Sequence, residues 1–95
     1  MNSYETLYII SAQLDEEKTK ATIEKFSGII EKNGGTIKSC DEWGKRKLAY
    51  PINFQNEGYY VLTTFDSDGE LPKELERNYG IDEDIMRYIV VRLDD

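Results

Sequence analysis

The sequence predicts an α+β fold of one domain, residues 1–95, with its elements in the order β-α-β-β-α-β. Two patterns alternate along the chain: stretches rich in β-branched and aromatic residues, and stretches in which apolar residues recur every three or four positions. The first pattern is typical of strands and the second of amphipathic helices. A chain of 95 residues has the length of one domain, so these elements are expected to share one core.

A strand and a helix open the chain. Residues 4–10 are rich in tyrosine, leucine, isoleucine and threonine, which predicts the first strand. Asp15 is suited to cap the helix that follows, because its carboxylate can accept a hydrogen bond from a free N–H of the first turn. Gly34 is the expected left-handed residue just past the helix end. The apolar positions at helical spacing between them are Ile23, Phe26 and Ile30.

A long hairpin follows the first helix. Residues 36–52 are extended in pattern, and Gly44 within them predicts a bulge. Pro51 has no N–H to donate, so the end of this second strand is expected near a sheet edge. The polar segment from 53 to 58 predicts the hairpin loop. The third strand is predicted at 58–66, around the strongly β-forming run YYVLTTF.

A second helix and a last strand complete the pattern. Pro72 suits a first helical turn and Gly80 is expected to end this helix; the strand follows at 85–93, with Arg87 and Arg92 as its only charges. The order is that of the ferredoxin-like fold, a sandwich in which two helices cover one face of a four-stranded antiparallel sheet. The apolar residues one turn apart in the second helix are Leu71, Leu75 and Tyr79.

The last two strands are apolar on both sides, so both sides of the sheet are expected to need cover. Successive residues of a strand point to opposite faces, so Val61 and Phe65 are expected on one face of the sheet and Tyr60 and Leu62 on the other. Since the helices cover only one face, the apolar side chains on the other face predict a partner-binding surface. The candidate partner-binding residues are Tyr60, Leu62, Ile89 and Val91.

Composition argues against catalysis and against metal or cofactor binding. The chain has no histidine, which is the usual general base near neutral pH and the commonest metal ligand. Cys40 is the only cysteine, so a disulfide or thiolate cluster within the chain is excluded. The acidic run at 82–84 lacks the ligand pattern of a calcium loop. We therefore expect no enzyme, no cofactor, no metal and no small-molecule substrate.

Charge and hydropathy bear on location and partners. No apolar run approaches the roughly 18 residues of a membrane span, and the N-terminus lacks the layout of a signal peptide, so a cytoplasmic protein is expected. The net charge is −7, of which residues 66–84 carry −6 through eight acidic and two basic residues. Such a chain is not a typical free-standing nucleic-acid binder. Any RNA binding is expected to be helped by a basic partner.

The segment 43–52, which reads WGKRKLAYPI, carries the most specific signal in the chain. Together with Tyr4-Glu5, Gly34, Gly58-Tyr59 and RYIVVR at 87–92, it closely resembles the bacterial small-subunit ribosomal protein S6 family, in register over nearly the whole chain. The resemblance implies a ferredoxin-like fold and a place on the ribosome. It also implies pairing with the small basic ribosomal protein S18 and joint binding to the central domain of small-subunit ribosomal RNA.

The candidate RNA-binding residues are cations that could neutralise phosphate and one aromatic residue beside the N-terminus. For the three adjacent cations, the alternative is a solvated rim that keeps an edge strand from pairing with other chains. For the two arginines of the last strand, it is solubility at the strand ends or weak surface pairing with the acidic segment 66–84. The candidates are Tyr4, Lys45, Arg46, Lys47, Arg87 and Arg92.

Other functions are known on the same topology. A stand-alone RNA-recognition module would stack bases on sheet aromatics within a KGFGFVxF-like signature, which is absent from the third strand. A small acyl-phosphate hydrolase would need an anion-cradling glycine loop with an arginine, and residues 11–14 contain neither. A ligand-sensing module that dimerises through its sheet stays open.

Overall fold

The computed structural model describes residues 1–52 and 54–93 and has six elements in the predicted order. The strands form one antiparallel sheet in the order β2-β3-β1-β4, so β2 and β4 are its edges. Both helices lie on one face, which confirms the ferredoxin-like sandwich. The elements are β1 (Asn2–Ser11), α1 (Glu16–Lys32), β2 (Thr36–Ile52), β3 (Gln55–Ser67), α2 (Leu71–Ile81) and β4 (Ile85–Leu93).

The ends of α1 are set by the two residues that the sequence singles out. The carboxylate of Asp15 accepts a hydrogen bond from the backbone N–H of Lys18 at 2.8 Å, which satisfies a donor that has no partner within the helix. Gly34 has a φ of 87°, a conformation that side chains with a Cβ adopt at a cost. Both predictions for this helix are therefore confirmed.

The bounds of three elements differ from those predicted, and the first of them, β1, covers Asn2–Ser11 rather than 4–10. β3 begins at Gln55 rather than Gly58, so the polar residues before Gly58 extend the hairpin instead of forming its loop. Polar residues suit this part of the strand because it lies at the exposed end of the hairpin. Asn53, which the predicted loop includes, lies outside the described residues. α2 continues through Gly80 to Ile81, since glycine is tolerated in a last helical turn.

An aromatic cluster joins the two helices to the sheet. Tyr8 of β1, Phe26 of α1 and Tyr79 of α2 are each only 1% exposed. Their ring centroids lie 5.5 Å apart for Tyr8–Phe26, 5.2 Å for Tyr8–Tyr79 and 4.6 Å for Phe26–Tyr79. On β3, Val61 and Phe65 point into the same core and are fully buried. This core occupies the face of the sheet that the helices cover.

The hydroxyl of Tyr8 is buried with no hydrogen-bond partner among the described residues, whereas that of Tyr79 lies 3.0 Å from the hydroxyl of Thr6. Because a buried polar group without a partner is costly, Tyr8→Phe is expected to raise the free energy of unfolding by about 1 kcal/mol. Tyr79→Phe, which deletes a satisfied hydroxyl, should instead lower it by a similar amount. Urea denaturation of the two variants makes the comparison. A Tyr8→Phe variant that is no more stable than the unaltered chain would contradict the prediction.

The same burial predicts a loss of stability in alkali. Burial raises the pKa of Tyr8 and of Tyr79 far above the usual range. The unfolded chain therefore releases tyrosine protons near pH 10 that the folded chain retains, and the free energy of unfolding falls as the pH rises above about 10. Tyr8→Phe should make this fall shallower, which urea denaturation between pH 8 and pH 11 measures. An unchanged slope would contradict the assignment.

Candidate functional site

The face of the sheet opposite the helices, here called the open face, carries an apolar row across three strands. Leu7 of β1 lies opposite Leu62 of β3 on one side and Ile89 of β4 on the other. Val91 lies one row further along β4. Ile89 and Val91 are 53% and 44% exposed, which is high for large aliphatic side chains in a strand. The structure thus places Tyr60, Leu62, Ile89 and Val91 on one face; their role in binding stays a prediction.

Carboxylates border this apolar row. Glu5 lies between Thr64 and Val91 in the next row of the open face, and Asp41 of β2 lies opposite Leu62. Asp66 accepts a hydrogen bond from the hydroxyl of Ser3 at 2.6 Å. That bond, helped by Lys38 at 3.3 Å, holds the pKa of Asp66 below its usual range, so the group stays ionised near neutral pH. One half of the open face is therefore apolar with acidic borders.

The other half of the open face carries two arginines, each held over an aromatic ring. The guanidinium carbon of Arg46 lies 5.3 Å from the ring centroid of Trp43, and that of Arg87 lies 5.0 Å from the ring centroid of Tyr50. Trp43 in turn stacks on Tyr60, with centroids 6.0 Å apart and planes 10° from parallel. Cation–π contacts of this kind favour one orientation of a long side chain.

The distal part of the β2–β3 hairpin folds over this half of the face. Leu48 is only 8% exposed, and Ile9 is only 6% exposed although it points away from the helices. A Cβ added to Gly58 would lie 2.3 Å from Cγ2 of Ile9 and 3.5 Å from Cδ2 of Leu48. Glycine at this position therefore lets the hairpin approach β1 closely and brings Tyr50 towards Arg87 on the far edge of the sheet.

Gly58→Ala is accordingly expected to lower the free energy of unfolding by about 1–3 kcal/mol, the usual range for overpacking. The control is Gly28→Ala on α1, where an added Cβ meets nothing within 4 Å. That change should raise stability by about 0.5–1 kcal/mol, because alanine loses less conformational freedom in a helix than glycine does. Urea denaturation of both variants tests the pair. Equal effects of the two substitutions would show that the close approach is absent.

The three adjacent cations of β2 do not share one face. Arg46 lies opposite Gly58 and belongs to the open face, whereas Lys45 lies opposite Tyr59 and Lys47 opposite Glu57, both on the side of the helices. Lys45 lines the groove between β2 and the start of α1. Strand alternation explains the division, since neighbours along a strand point to opposite sides. The two lysines are therefore rim residues of the exposed edge strand β2.

The two arginines of β4 are also separated. Arg87 lies opposite Ile9 and Arg92 opposite Tyr4, five residues apart along β1, which corresponds to roughly 17 Å. Arg92 lies at the other end of the sheet and donates a hydrogen bond to Oδ1 of Asn2 at 3.0 Å. The predicted cationic set thus divides into an arginine pair on the open face, a lysine rim and one remote arginine.

Tyr4, the candidate RNA contact chosen for its place beside the N-terminus and a predicted sheet edge, lies in the core. It is 7% exposed and its ring stacks on Phe65, with centroids 5.6 Å apart. The reason is topological: β1 pairs with both β3 and β4 and is a central strand. At 7% exposure, its ring offers little surface on which a base could stack. Tyr4 is therefore a packing residue, and the prediction that it contacts RNA finds no support in its position.

Four of the candidate RNA-binding cations have no acidic partner within the described residues. Over residues 1–52 and 54–93, Lys20, Lys25, Lys38 and Arg77 each lie within 4.0 Å of a carboxylate oxygen. No such pair involves Lys45, Lys47, Arg46 or Arg87 in that part of the chain. These four charges remain open to an external anion, as do those of Lys18, Lys32, Lys73 and Arg92 in the same part of the chain.

Comparison with known proteins assigns the family. Residues 3–92 match the family model described as Ribosomal protein S6. The chain belongs to the ribosomal protein S6 family. It is 59% identical over 91 residues to small ribosomal subunit protein bS6 of Clostridium novyi, with 96% of each chain covered. It is 52% identical over 95 residues to bS6 of Caldanaerobacter subterraneus, with both chains fully covered.

A solved structure gives the same answer for the fold. The crystal structure of 30S ribosomal protein S6 from Thermotoga maritima matches with a TM-score of 0.93 and 34% identity, over 97% of this chain and 87% of that one. The S6 assignment confirms the expected small-subunit ribosomal protein, located on the ribosome, rather than an enzyme. Within the described residues, no helix is long and apolar enough to cross a membrane, and no cluster of three acidic, cysteine or histidine residues could hold a metal ion.

Proposed function

We propose that this S6-family protein binds the central domain of small-subunit ribosomal RNA jointly with ribosomal protein S18. In this proposal the apolar half of the open face docks S18, and the arginine half contributes to a composite RNA surface. The observation that carries the proposal is the division of one face into these two halves. A basic protein complements acidic borders around an apolar row, whereas phosphate complements guanidinium groups.

The apolar half has the features of a protein interface. The apolar row of Leu62, Leu7 and Ile89 forms an uncharged centre, of which Ile89, with Val91 beside it, is the exposed end on the edge strand β4. Carboxylates lie on the same face at Glu5, Asp41 and Asp66, and Asp66 is already paired with Lys38. Interfaces between proteins typically have such an uncharged centre and a polar rim. The carboxylates would attract a basic partner and orient it, which raises the rate and specificity of association.

The arginine half has the features of a phosphate-binding surface. Arg46 and Arg87 are carried by β2 and β4, the two edge strands, whose backbones are three strand spacings or roughly 14 Å apart, and we expect them to contact different phosphates. Lys45 and Lys47 extend the cationic surface along the β2 rim. Arg92, at the other end of the sheet, is expected to contribute less. This limited number of cations on a chain of net charge −7 favours RNA binding as one half of a pair.

Binding to single-stranded oligonucleotides without S18 tests the proposal against a stand-alone RNA-recognition module. We expect weak, strongly salt-dependent binding of the isolated chain, because phosphate contacts supply most of its attraction. With S18 present, the central-domain RNA should bind tightly, and the number of phosphate contacts should set the slope of log affinity against log salt. Tight, sequence-selective binding of short oligonucleotides by the chain alone would favour the stand-alone module.

A further inference from the structure

Trp43 makes three contacts within its own chain. Its indole N–H donates to Oδ2 of Asp41 at 3.2 Å, its ring stacks on Tyr60, and the guanidinium of Arg46 lies over it. The side chain is nevertheless 37% exposed, so burial in a core does not account for its position. An indole committed to three neighbours is poorly suited to accept a base, yet it is well suited to hold a neighbour in place.

The backbone is shaped to allow the Trp43–Arg46 contact. Residues three positions apart in a regular strand point to opposite faces. Here the register with β3 shifts between Glu42 and Gly44, and Gly44 has a φ of 83°, which side chains with a Cβ rarely adopt. The bulge brings Trp43 and Arg46 to the same side of the sheet. The glycine of the motif thus creates a contact that strand geometry otherwise forbids.

The guanidinium of Arg46 has no acidic partner among the described residues and can bind an external anion. Arg77 on α2 offers a contrast, because two of its nitrogens already donate to the carboxylate of Glu74, at 2.7 Å and 3.2 Å. Arg46 has no carboxylate within 4.0 Å among residues 1–52 and 54–93. A guanidinium held against a ring keeps its in-plane donors, and less side-chain freedom is lost when it binds.

We propose that Trp43 and Tyr60 are positioning residues that orient Arg46 towards a backbone phosphate of the bound RNA. This inference rests on the proposed function and deepens it, since it assigns the aromatic residues of the open face to an arginine rather than to a base or a partner. Asp41 fixes the indole at its edge, Tyr60 supports its ring, and Gly44 supplies the bulge. The ligand is the phosphodiester group, which is shared by all RNA sequences.

The first test needs no RNA. Trp43 is the only tryptophan in the chain, so intrinsic fluorescence excited at 295 nm reports its surroundings alone. Arg46→Ala should change the intensity or wavelength of this emission, and Gly44→Ala should change it in the same direction by breaking the bulge. Lys45→Ala, which removes the neighbouring cation from the other side of the strand, is the matched control and should leave it unchanged. Equal spectra for Arg46→Ala and Lys45→Ala would overturn the contact.

The second test is a double-mutant cycle on binding of central-domain RNA in the presence of S18. Arg46→Ala is expected to weaken binding by roughly tenfold, the effect of losing one charge-assisted hydrogen bond. Trp43→Ala should weaken it by a similar factor, Trp43→Phe should restore part of the loss, and the double alanine variant should be no weaker than Arg46→Ala. The cycle isolates the coupling because each single change removes the same contact.

The possible outcomes separate this inference from the function on which it rests. Equal losses from Trp43→Ala with and without Arg46 would mean that the indole touches RNA itself, and would overturn the positioning role. Normal RNA binding by the Arg46→Ala variant would also overturn the positioning role. The proposed function would still hold in that case, because the unaltered chain would bind RNA together with S18. Failure of the unaltered chain to bind RNA with S18 would overturn the proposed function directly. Unfolding midpoints of all variants separate these results from a loss of folding.

Discussion

Replacing both Arg46 and Arg87 by glutamate is expected to weaken binding of central-domain RNA in the presence of S18 by roughly a hundredfold or more. A charge-assisted hydrogen bond contributes about 1.5–3 kcal/mol, so the loss of two contacts corresponds to at least two powers of ten, and the new carboxylates add repulsion from phosphate. Folding should change little, because both side chains are exposed and make no ion pair within the described residues. Each substitution removes only one exposed cation–π contact, which contributes about 0.5–1 kcal/mol. Filter binding or anisotropy measures the RNA affinity, and urea denaturation measures stability.

The matched control for this pair lies on the helices. Lys18 and Lys73 are exposed near the starts of α1 and α2, where glutamate is compatible with the helix dipole. Their double replacement by glutamate lowers the net charge by four, as the double arginine variant does, but leaves the open face intact. We expect RNA affinity close to that of the unaltered chain. Equal losses in the two double variants would mean that only the overall charge matters and would contradict the assignment of the arginines.

Salt dependence distinguishes a lost phosphate contact from a general disturbance. Each phosphate contact contributes about one unit to the slope of log affinity against log salt. The double arginine variant should therefore show a slope smaller by about two, while the Lys18 and Lys73 variant keeps the original slope. An unchanged slope in the arginine variant would show that Arg46 and Arg87 do not contact phosphate.

Ile89→Asp is expected to weaken association with S18 by about thirtyfold or more, because the few residues that dominate an interface each contribute about 2 kcal/mol or more when they are truncated. The substitution also places a charge within the apolar half of the open face, on its edge strand β4. Stability should fall only slightly, because the side chain of Ile89 is already 53% exposed. Calorimetric titration of S18 into the two forms of the chain measures the difference.

Ile81 provides the control for this substitution. It is also an exposed isoleucine, at 67%, but it lies at the end of α2 and away from the sheet. Ile81→Asp makes the same chemical change without touching the open face, so S18 should bind this variant as it binds the unaltered chain. If Ile89→Asp binds S18 normally, the partner docks on another surface and the apolar half of the open face has a different role.

Periodicity and helix-end residues were sufficient to predict the fold. The alternation along β3 separates buried Val61 and Phe65 from Tyr60 and Leu62 as predicted, and β4 has the predicted bounds, Ile85–Leu93. Asp15 and Gly34 mark the ends of α1 because each acts through its own local hydrogen bond or backbone angle. Features of this kind depend on a residue and its sequence neighbours, so the sequence is sufficient to predict them.

The site depends on contacts that local patterns do not contain. Tyr4 lies near the N-terminus in the sequence, yet its side chain is buried because β1 is a central strand. Strand order depends on the whole sheet and cannot be read from residues near Tyr4. The run Lys45-Arg46-Lys47 reads as one cluster, whereas strand alternation divides it between two sides. Glycine at position 44 does predict a bulge, but the resulting contact between Trp43 and Arg46 becomes visible only when the register with β3 is known.

Reconstitution with omission tests the central claim most directly. The chain, S18 and a central-domain RNA fragment are mixed, each component is left out in turn, and the amount of the chain retained on immobilised RNA is measured. Joint binding predicts strong retention only when S18 is present, with little retention of the chain on RNA alone at physiological salt. Full retention without S18 would contradict the account, and so would failure of the complete mixture to retain the chain.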